Sequence, residues 1–146
     1  MDQEKESIIF DANLDSLSPI REYLTSLGES VGLDKNKTYK LCLAVDEIAT
    51  NIINYGYGKA GVADGKIDVT AFTENGKLFV FLEDKATPFN PLEHKTPGQE
   101  DMNIPLEERP IGGLGIMLAK ESVDLYDYKF LNGINRNIFC VNLKNN

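Results

Sequence analysis

The sequence is poor in the residues that build most metal and redox sites. Its 146 residues include 1 histidine and 2 cysteines. His94 lies in a proline-rich loop, and no histidine stands near Cys42 or Cys140, so the common histidine–cysteine zinc sites are excluded. Both cysteines lie in apolar stretches, which is typical of buried thiols in a reducing compartment.

Basic residues and long apolar runs are also scarce. The chain has 15 lysines and arginines against 23 acidic residues, a formal net charge of −8. Nucleic acid is therefore disfavoured as a direct partner, because phosphate neutralisation needs clustered basic side chains. No apolar run reaches bilayer-spanning length, and the charged N-terminus does not resemble a signal peptide. We expect a cytoplasmic protein of one domain, residues 1–146, that binds neither nucleic acid nor membranes.

The most informative stretch is residues 46–56, with the sequence DEIATNIINYG. Side chains four residues apart share a helix face, so Glu47 and Asn51 point the same way, beside Thr50 and Asn54. The opposite face carries four apolar residues at a spacing that suits burial: Leu41, Val45, Ile48 and Ile52. Oxygen donors suit Mg²⁺ held together with phosphate oxygens, and a neighbouring carboxylate can act as a general base. A surface helix that shows this spacing by chance is the alternative.

A glycine-rich segment opens the next candidate helix. Within residues 111–120, three glycines (Gly112, Gly113 and Gly115) surround Leu114 and lead into an amphipathic run. Glycine permits close backbone approach, and exposed amides at a helix N-terminus bind anions. An ordinary loop before a helix is the other interpretation.

Between these two segments, residues 79–91 read as a strand that ends at Asp84 and a turn. An aspartate at a strand end often only caps a turn, but its carboxylate can also bind an amino group of a purine. Residues 90–110 follow, with four prolines, several charges and no hydrophobic period. Long loops of this kind inside compact domains are often lids.

Hydrophobic periodicity and turn signals give a coarse secondary structure. An Asn-Gly pair at residues 75–76 predicts a tight hairpin turn, and a second hairpin is expected near residues 132–133. The predicted elements are a strand at 7–11, a helix at 16–31, a helix from 34 to about 54, strands at 66–73 and 77–83, a helix from 113 to about 123, and strands at 124–131 and 137–143. This order favours an α+β two-layer sandwich with a mixed, mainly antiparallel sheet and helices on one face.

Taken in order, the Glu-xxx-Asn helix, the strand ending in aspartate, the long loop and the Gly-x-Gly helix resemble the GHKL ATPase domain. Within that group the sequence is most similar to the anti-sigma factor serine kinases of the SpoIIAB and RsbW type. The resemblance covers most of the chain and is most specific at residues 46–56 and 112–115. It implies ATP and Mg²⁺ as cofactors, a serine on a small antagonist protein as phosphoryl acceptor, a sigma factor as second partner, and a homodimer.

The resemblance also implies residue roles. Asn51 matches the asparagine that ligates Mg²⁺ on the ATP phosphates, and Glu47 matches the acidic residue that polarises the attacking hydroxyl. Asp84 matches the aspartate that accepts a hydrogen bond from the exocyclic amine of adenine. The segment 112–115, with its three glycines and Leu114, matches the one that closes the lid over the phosphates.

Two positions depart from the family pattern. The aspartate motif usually continues as Asp-x-Gly, but here the third residue is Ala86. If Ala86 lies at positive φ, it is strained, and Ala86→Gly should tighten ATP binding up to about tenfold. Tyr55 stands where relatives often have histidine or lysine. Arg109, near the end of the predicted lid, either reaches a γ-phosphate or is a solvated charge.

Two other functions fit parts of the pattern. A non-catalytic ATP-binding module could regulate its partners by direct contact. Glu47 favours catalysis, whereas Ala86 in place of glycine slightly favours the non-catalytic module. The catalytic part of a sensor histidine kinase is the third interpretation. Such kinases need a dimerisation helix with a phosphoacceptor histidine, and the sequence contains no such segment.

Overall fold

The computed structural model describes residues 6–58, 60–88 and 119–143. Its elements are β1 (Glu6–Asp11), a 3-10 turn (Leu14–Ser16), α1 (Leu17–Ser30), α2 (Lys35–Asn51), a π-helical turn (Ile52–Gly58), β2 (Lys66–Glu74), β3 (Lys77–Asp84), β4 (Leu125–Leu131) and β5 (Ile134–Asn142). Residues 119–122 are also helical. Both helices and all five strands among these elements were predicted from the sequence, with boundaries that differ by a few residues.

The strands form one sheet in the order β1-β2-β3-β5-β4. Each pairing between these neighbours is antiparallel. The predicted α+β class is confirmed. The register sets Asp84, the last residue of β3, directly opposite Asn135 near the start of β5.

Two Asn-Gly turns fix the hairpins. Asn75 and Gly76 have φ values of 52° and 76°, and Asn132 and Gly133 have values of 53° and 80°. Paired positive φ angles match the right-handed twist of the flanking strands, and asparagine and glycine adopt them most readily. Both predicted hairpins are confirmed, but β5 begins directly after its turn, three residues before the predicted start.

The helices pack on one face of the sheet. Asp34 caps α2, because its carboxylate accepts the backbone N–H groups of Asn36 and Lys37. One buried cluster joins both helices to inward residues of the strands, and its fully buried members include Leu24, Leu41, Val45, Ile67, Val69, Leu78, Val80, Leu82 and Phe139. Phe72 and Cys140 face the other side of the sheet and do not belong to this cluster. Within the described ranges, no helix has the length and apolar character needed to cross a bilayer.

Candidate functional site

The end of α2 presents the predicted pair of polar side chains. Glu47 and Asn51 are both half-buried. The opposite side of the helix is buried as predicted, with exposed fractions of 0% at Leu41 and Val45 and 2% at Ile48. The pattern of residues 46–56 therefore did identify a helix with an apolar face and a polar face.

The surroundings of Glu47 make its carboxyl harder to ionise than that of an ordinary glutamate. Burial raises the pKa of the Glu47 carboxyl, and the negative charge of the adjacent Asp46 raises it further. Asp46 itself is paired with Arg21 of α1, at 3.0 Å between Nη2 and Oδ1. The hydroxyl of Thr50 donates a hydrogen bond to the backbone carbonyl of Asp46, one turn earlier in α2, at 2.7 Å.

The helix changes its winding directly after Asn51. The sequence predicts an α-helix to about residue 54, but the segment Ile52–Gly58 is a π-helical turn. Wider turns of this kind are frequent at functional sites. The turn brings Tyr57 inward, where its hydroxyl accepts the N–H of Lys85 at 2.8 Å and donates to the carbonyl of Lys66 at 2.9 Å. The polar end of α2 is thereby joined to the turn that follows Asp84.

Asp84 is a buried carboxylate, with an exposed fraction of 4%. Its Oδ1 accepts two hydrogen bonds of 2.9 Å, from the backbone N–H of Ala86 and from the side-chain amide of Asn135. No residue in the described ranges donates to Oδ2. Burial raises the pKa of the Asp84 carboxyl, and the two hydrogen bonds offset part of that increase.

Asn135 is a site residue that the sequence analysis missed. It is 3% exposed, and its amide nitrogen donates to Asp84 and to the carbonyl of Ala86, the latter at 3.0 Å. Its amide oxygen accepts the hydroxyl of Tyr128. The predicted strand began at residue 137, which left Asn135 in a loop. If the alternation of inward and outward residues along this strand is continued back to the turn at Gly133, Asn135 falls on the inward face of the sheet, opposite Asp84.

Ala86 does not have a positive φ angle. Among the described residues other than glycine, positive φ occurs only at Asn75 and Asn132. The condition under which Ala86→Gly would tighten ATP binding is therefore not met. The methyl group of Ala86 is accommodated by Gly56 of the π-helical turn, because a Cβ added at Gly56 would lie 2.8 Å from the Cβ of Ala86. The two sequence motifs meet at this contact.

We accordingly expect Ala86→Gly to destabilise the protein without tightening nucleotide binding. The change removes a buried methyl group and increases the freedom of the unfolded chain, so the free energy of unfolding should fall by about 1–2 kcal/mol. Urea denaturation measures this, with Ala63→Gly in an exposed loop as the control. An Ala86→Gly protein that binds ATP more tightly at unchanged stability would contradict this account.

A cavity of about 600 Å³ lies beside Asp84, a volume typical of small-molecule sites. Its lining includes Gly56, Tyr57, Asp84 and Ala86, but neither Glu47 nor Asn51. The structure thus brings the aspartate motif to the π-helical turn that follows α2, while Glu47 and Asn51 of α2 do not line this cavity. The predicted glycine-rich segment (Gly112, Gly113, Leu114 and Gly115), Arg109 and the predicted lid fall outside the described residues.

Comparisons with known proteins give a consistent result. Residues 10–137 match the family model of the histidine kinase-like ATPase domain. The serine-protein kinase RsbW of Bacillus cereus is 26% identical over 121 residues, covering 83% of this chain and 74% of that protein. The Bacillus mycoides protein of the same name is 27% identical over 123 residues, with the same shares covered.

One solved structure supports the fold. The crystal structure of the RsbU and RsbW domains of a Mycobacterium tuberculosis protein matches with a TM-score of 0.65 at 16% identity. The match covers 95% of this chain but 32% of that longer chain. At this identity the likeness establishes the fold alone.

Proposed function

Because the chain belongs to the histidine kinase-like ATPase domain family, we propose that it is an ATP-dependent protein serine/threonine kinase and anti-sigma factor. Its acceptor is a serine on a small antagonist protein, and its second partner is a sigma factor, as the resemblance to the RsbW kinases implies. The observation that carries the proposal is the buried Asp84, whose Oδ2 receives no hydrogen bond from a described residue and which lines a cavity bounded by the π-helical turn after α2. We further propose a homodimer in the cytoplasm.

The Asp84 end of the site suits adenine. An exocyclic amine donates hydrogen bonds, and Oδ2 of Asp84 is an acceptor whose sister oxygen is already fixed by two donors. A buried acceptor held in place discriminates strongly against a ligand that lacks the matching donor. The lining combines Gly56, Tyr57 and Ala86 with charged residues such as Lys66 and Glu83, and the cavity volume of about 600 Å³ is sufficient for a planar base.

The α2 end of the site suits a phosphate-bound cation. Mg²⁺ usually binds one or two protein oxygens together with substrate phosphates, and the carboxamide of Asn51 offers one such oxygen. Within residues 6–58, 60–88 and 119–143, no group of three or more histidine, cysteine, aspartate or glutamate side chains could hold a metal ion. A Mg²⁺ ion bound to the nucleotide would take most of its ligands from the phosphates and would supply charge neutralisation there.

Glu47 is the proposed general base. It lies one helical turn before Asn51 on the same face of α2, which would set its carboxylate beside the phosphates. Burial and Asp46 raise the pKa of Glu47, and a carboxylate with a raised pKa accepts a proton more readily. It would take the proton of the attacking serine hydroxyl, because phosphoryl transfer otherwise relies on positioning and electrostatics.

The direct test is to purify the protein from its own cells, identify what co-purifies, and add ATP labelled at the γ-phosphate. Transfer of label to serine of a small co-purifying protein is the expected result, with a sigma factor among the other partners. Binding of ATP without any labelled protein would favour the contact-only module. Partners of a different kind would overturn the sigma-factor assignment.

Asn51→Ala should weaken binding of Mg-ATP by about tenfold or more, equivalent to about 1.4 kcal/mol per factor of ten. The loss follows because the substitution removes the protein ligand of the phosphate-bound ion. Titration calorimetry with Mg²⁺ and with a chelator measures it, and the variant should bind ATP about as weakly as the wild type does without Mg²⁺. Asn36→Ala, exposed in the first turn of α2, is the control. Unchanged ATP affinity in Asn51→Ala would contradict the assignment of Asn51 as the ligand of the phosphate-bound ion.

A further inference from the structure

The hydroxyl of Tyr57 joins three separate segments of the chain. Tyr57 lies in the π-helical turn after α2, accepts the N–H of Lys85 directly after β3, and donates to the carbonyl of Lys66 at the start of β2. We propose that Tyr57 is a positioning residue for base recognition: it holds the carboxylate of Asp84 at a fixed place relative to the helix that carries Asn51. This inference rests on the proposed function.

The hydroxyl of Tyr57 makes one hydrogen bond as a donor and one as an acceptor. Tyr57 is 5% exposed, and burial raises the pKa of its hydroxyl, so the group keeps its proton at neutral pH. Its two partners are backbone groups, the N–H of Lys85 and the carbonyl of Lys66. Without the hydroxyl, the N–H of Lys85 and the carbonyl of Lys66 would each lose a hydrogen-bond partner.

The contact acts on the turn that aims Asp84. Two consecutive backbone N–H groups of this turn donate hydrogen bonds. The N–H of Lys85 donates to the hydroxyl of Tyr57, and the N–H of Ala86 donates to Oδ1 of Asp84. Because Oδ1 is fixed by Ala86 and Asn135, the direction of Oδ2 depends on where the peptide after Asp84 lies. Tyr57 and Asp84 both line the same cavity, so a shift of this turn would move the acceptor within the base site.

Packing around the ring indicates that its placement is specific. A Cβ added at Gly65 would lie 2.6 Å from atoms of the Tyr57 ring, closer than side-chain contacts allow. Gly56, the neighbour of Tyr57, makes the corresponding close contact with Ala86. Gly56 and Gly65 thus let the π-helical turn lie close to the start of β2 and to the turn after Asp84, and the hydrogen bonds of the Tyr57 hydroxyl hold these segments together.

Tyr57→Phe tests the proposal, because it removes the hydroxyl and keeps the ring. Affinities are measured for Mg-ATP, for Mg-ITP, whose base carries a carbonyl in place of the amine, and for inorganic tripolyphosphate. We expect ATP binding to weaken about tenfold while the other two ligands change less than about twofold, so that the preference for ATP over ITP falls about tenfold. Tyr39→Phe, on α2 with a 62% exposed side chain, should change none of them.

The outcomes separate this inference from the proposed function. A wild-type protein that binds no nucleotide refutes the proposed function itself. A wild-type protein that prefers ATP, together with a Tyr57→Phe variant that keeps this preference, refutes only the role of Tyr57. Equal weakening for ATP, ITP and tripolyphosphate would also refute it, since that pattern reports general destabilisation.

A second measurement applies if Tyr57→Phe does not fold. Lys85 has an exposed side chain and lies outside the strand, so its amide would exchange rapidly with solvent without a partner. Hydrogen exchange of the wild-type protein by NMR should show the Lys85 amide to be protected at least about a hundredfold. Unprotected exchange at Lys85 would overturn the proposal.

Discussion

Glu47→Gln should slow phosphoryl transfer by about 10²–10⁴-fold, the usual contribution of a positioned base, while Mg-ATP affinity changes less than about twofold. Glutamine keeps the shape of the side chain and its place on α2, but it cannot take the proton of an attacking hydroxyl. Single-turnover transfer to the co-purifying acceptor measures the rate, and calorimetry measures the binding. Glu29→Gln, exposed at the end of α1, should transfer at the wild-type rate.

The pH profile adds a readout that a structural role of Glu47 would not produce. Only the ionised carboxylate can act as the base, so the rate should fall as pH drops through the pKa of Glu47. Since burial and Asp46 raise that pKa, the decline should begin at a higher pH than for an ordinary glutamate. The residual rate of Glu47→Gln should lack this decline. A variant that transfers as fast as the wild type would show that Glu47 is not the base.

Local signals were enough to predict most of the fold. The Asn-Gly pairs dictated both hairpins, because few other residues adopt paired positive φ. The spacing of Leu41, Val45 and Ile48 identified the buried side of α2, and the side opposite them held Glu47 and Asn51. In each case the physical cause acts within a few residues of the chain, where a sequence pattern can report it.

The features that could not be predicted depend on contacts between distant segments. The π-helical turn lets Tyr57 reach Lys85, 28 residues away in the chain, and nothing within IINYGYG marks the change of winding. Asn135 resembled a loop residue until the register placed it opposite Asp84. The backbone at Ala86 could be judged only from its φ angle in the structure, and the space for its methyl group only from the contact with Gly56.

Asp84→Asn should weaken ATP binding by at least about a hundredfold, since a buried site that mismatches a hydrogen-bonding group rejects the ligand strongly. The donors from Ala86 and Asn135 require an acceptor at Oδ1, so the new carboxamide must turn its NH₂ group toward the cavity. That group then faces the amine of adenine, donor against donor. The carbonyl of ITP suits it better, and the variant should prefer ITP over ATP.

The same substitution should stabilise the fold at neutral pH. Burial raises the pKa of Asp84, so the folded state binds this proton more tightly than the unfolded state does. Wild-type stability attributable to Asp84 therefore falls as pH rises from the ordinary aspartate pKa through the raised folded value, and the full penalty of a buried charge persists above it. Asparagine does not titrate and escapes that penalty.

The stability advantage of Asp84→Asn over the wild type should consequently grow across that pH window and then stay constant. Urea denaturation at several pH values measures it, with the exposed Asp15→Asn as the control. A variant that loses ATP while gaining stability would mean that the chain keeps a destabilising buried carboxylate because base recognition requires it. If Asp84→Asn binds ATP as well as the wild type, the carboxylate does not accept a hydrogen bond from the adenine amine, and the assignment of the adenine site to this cavity is wrong.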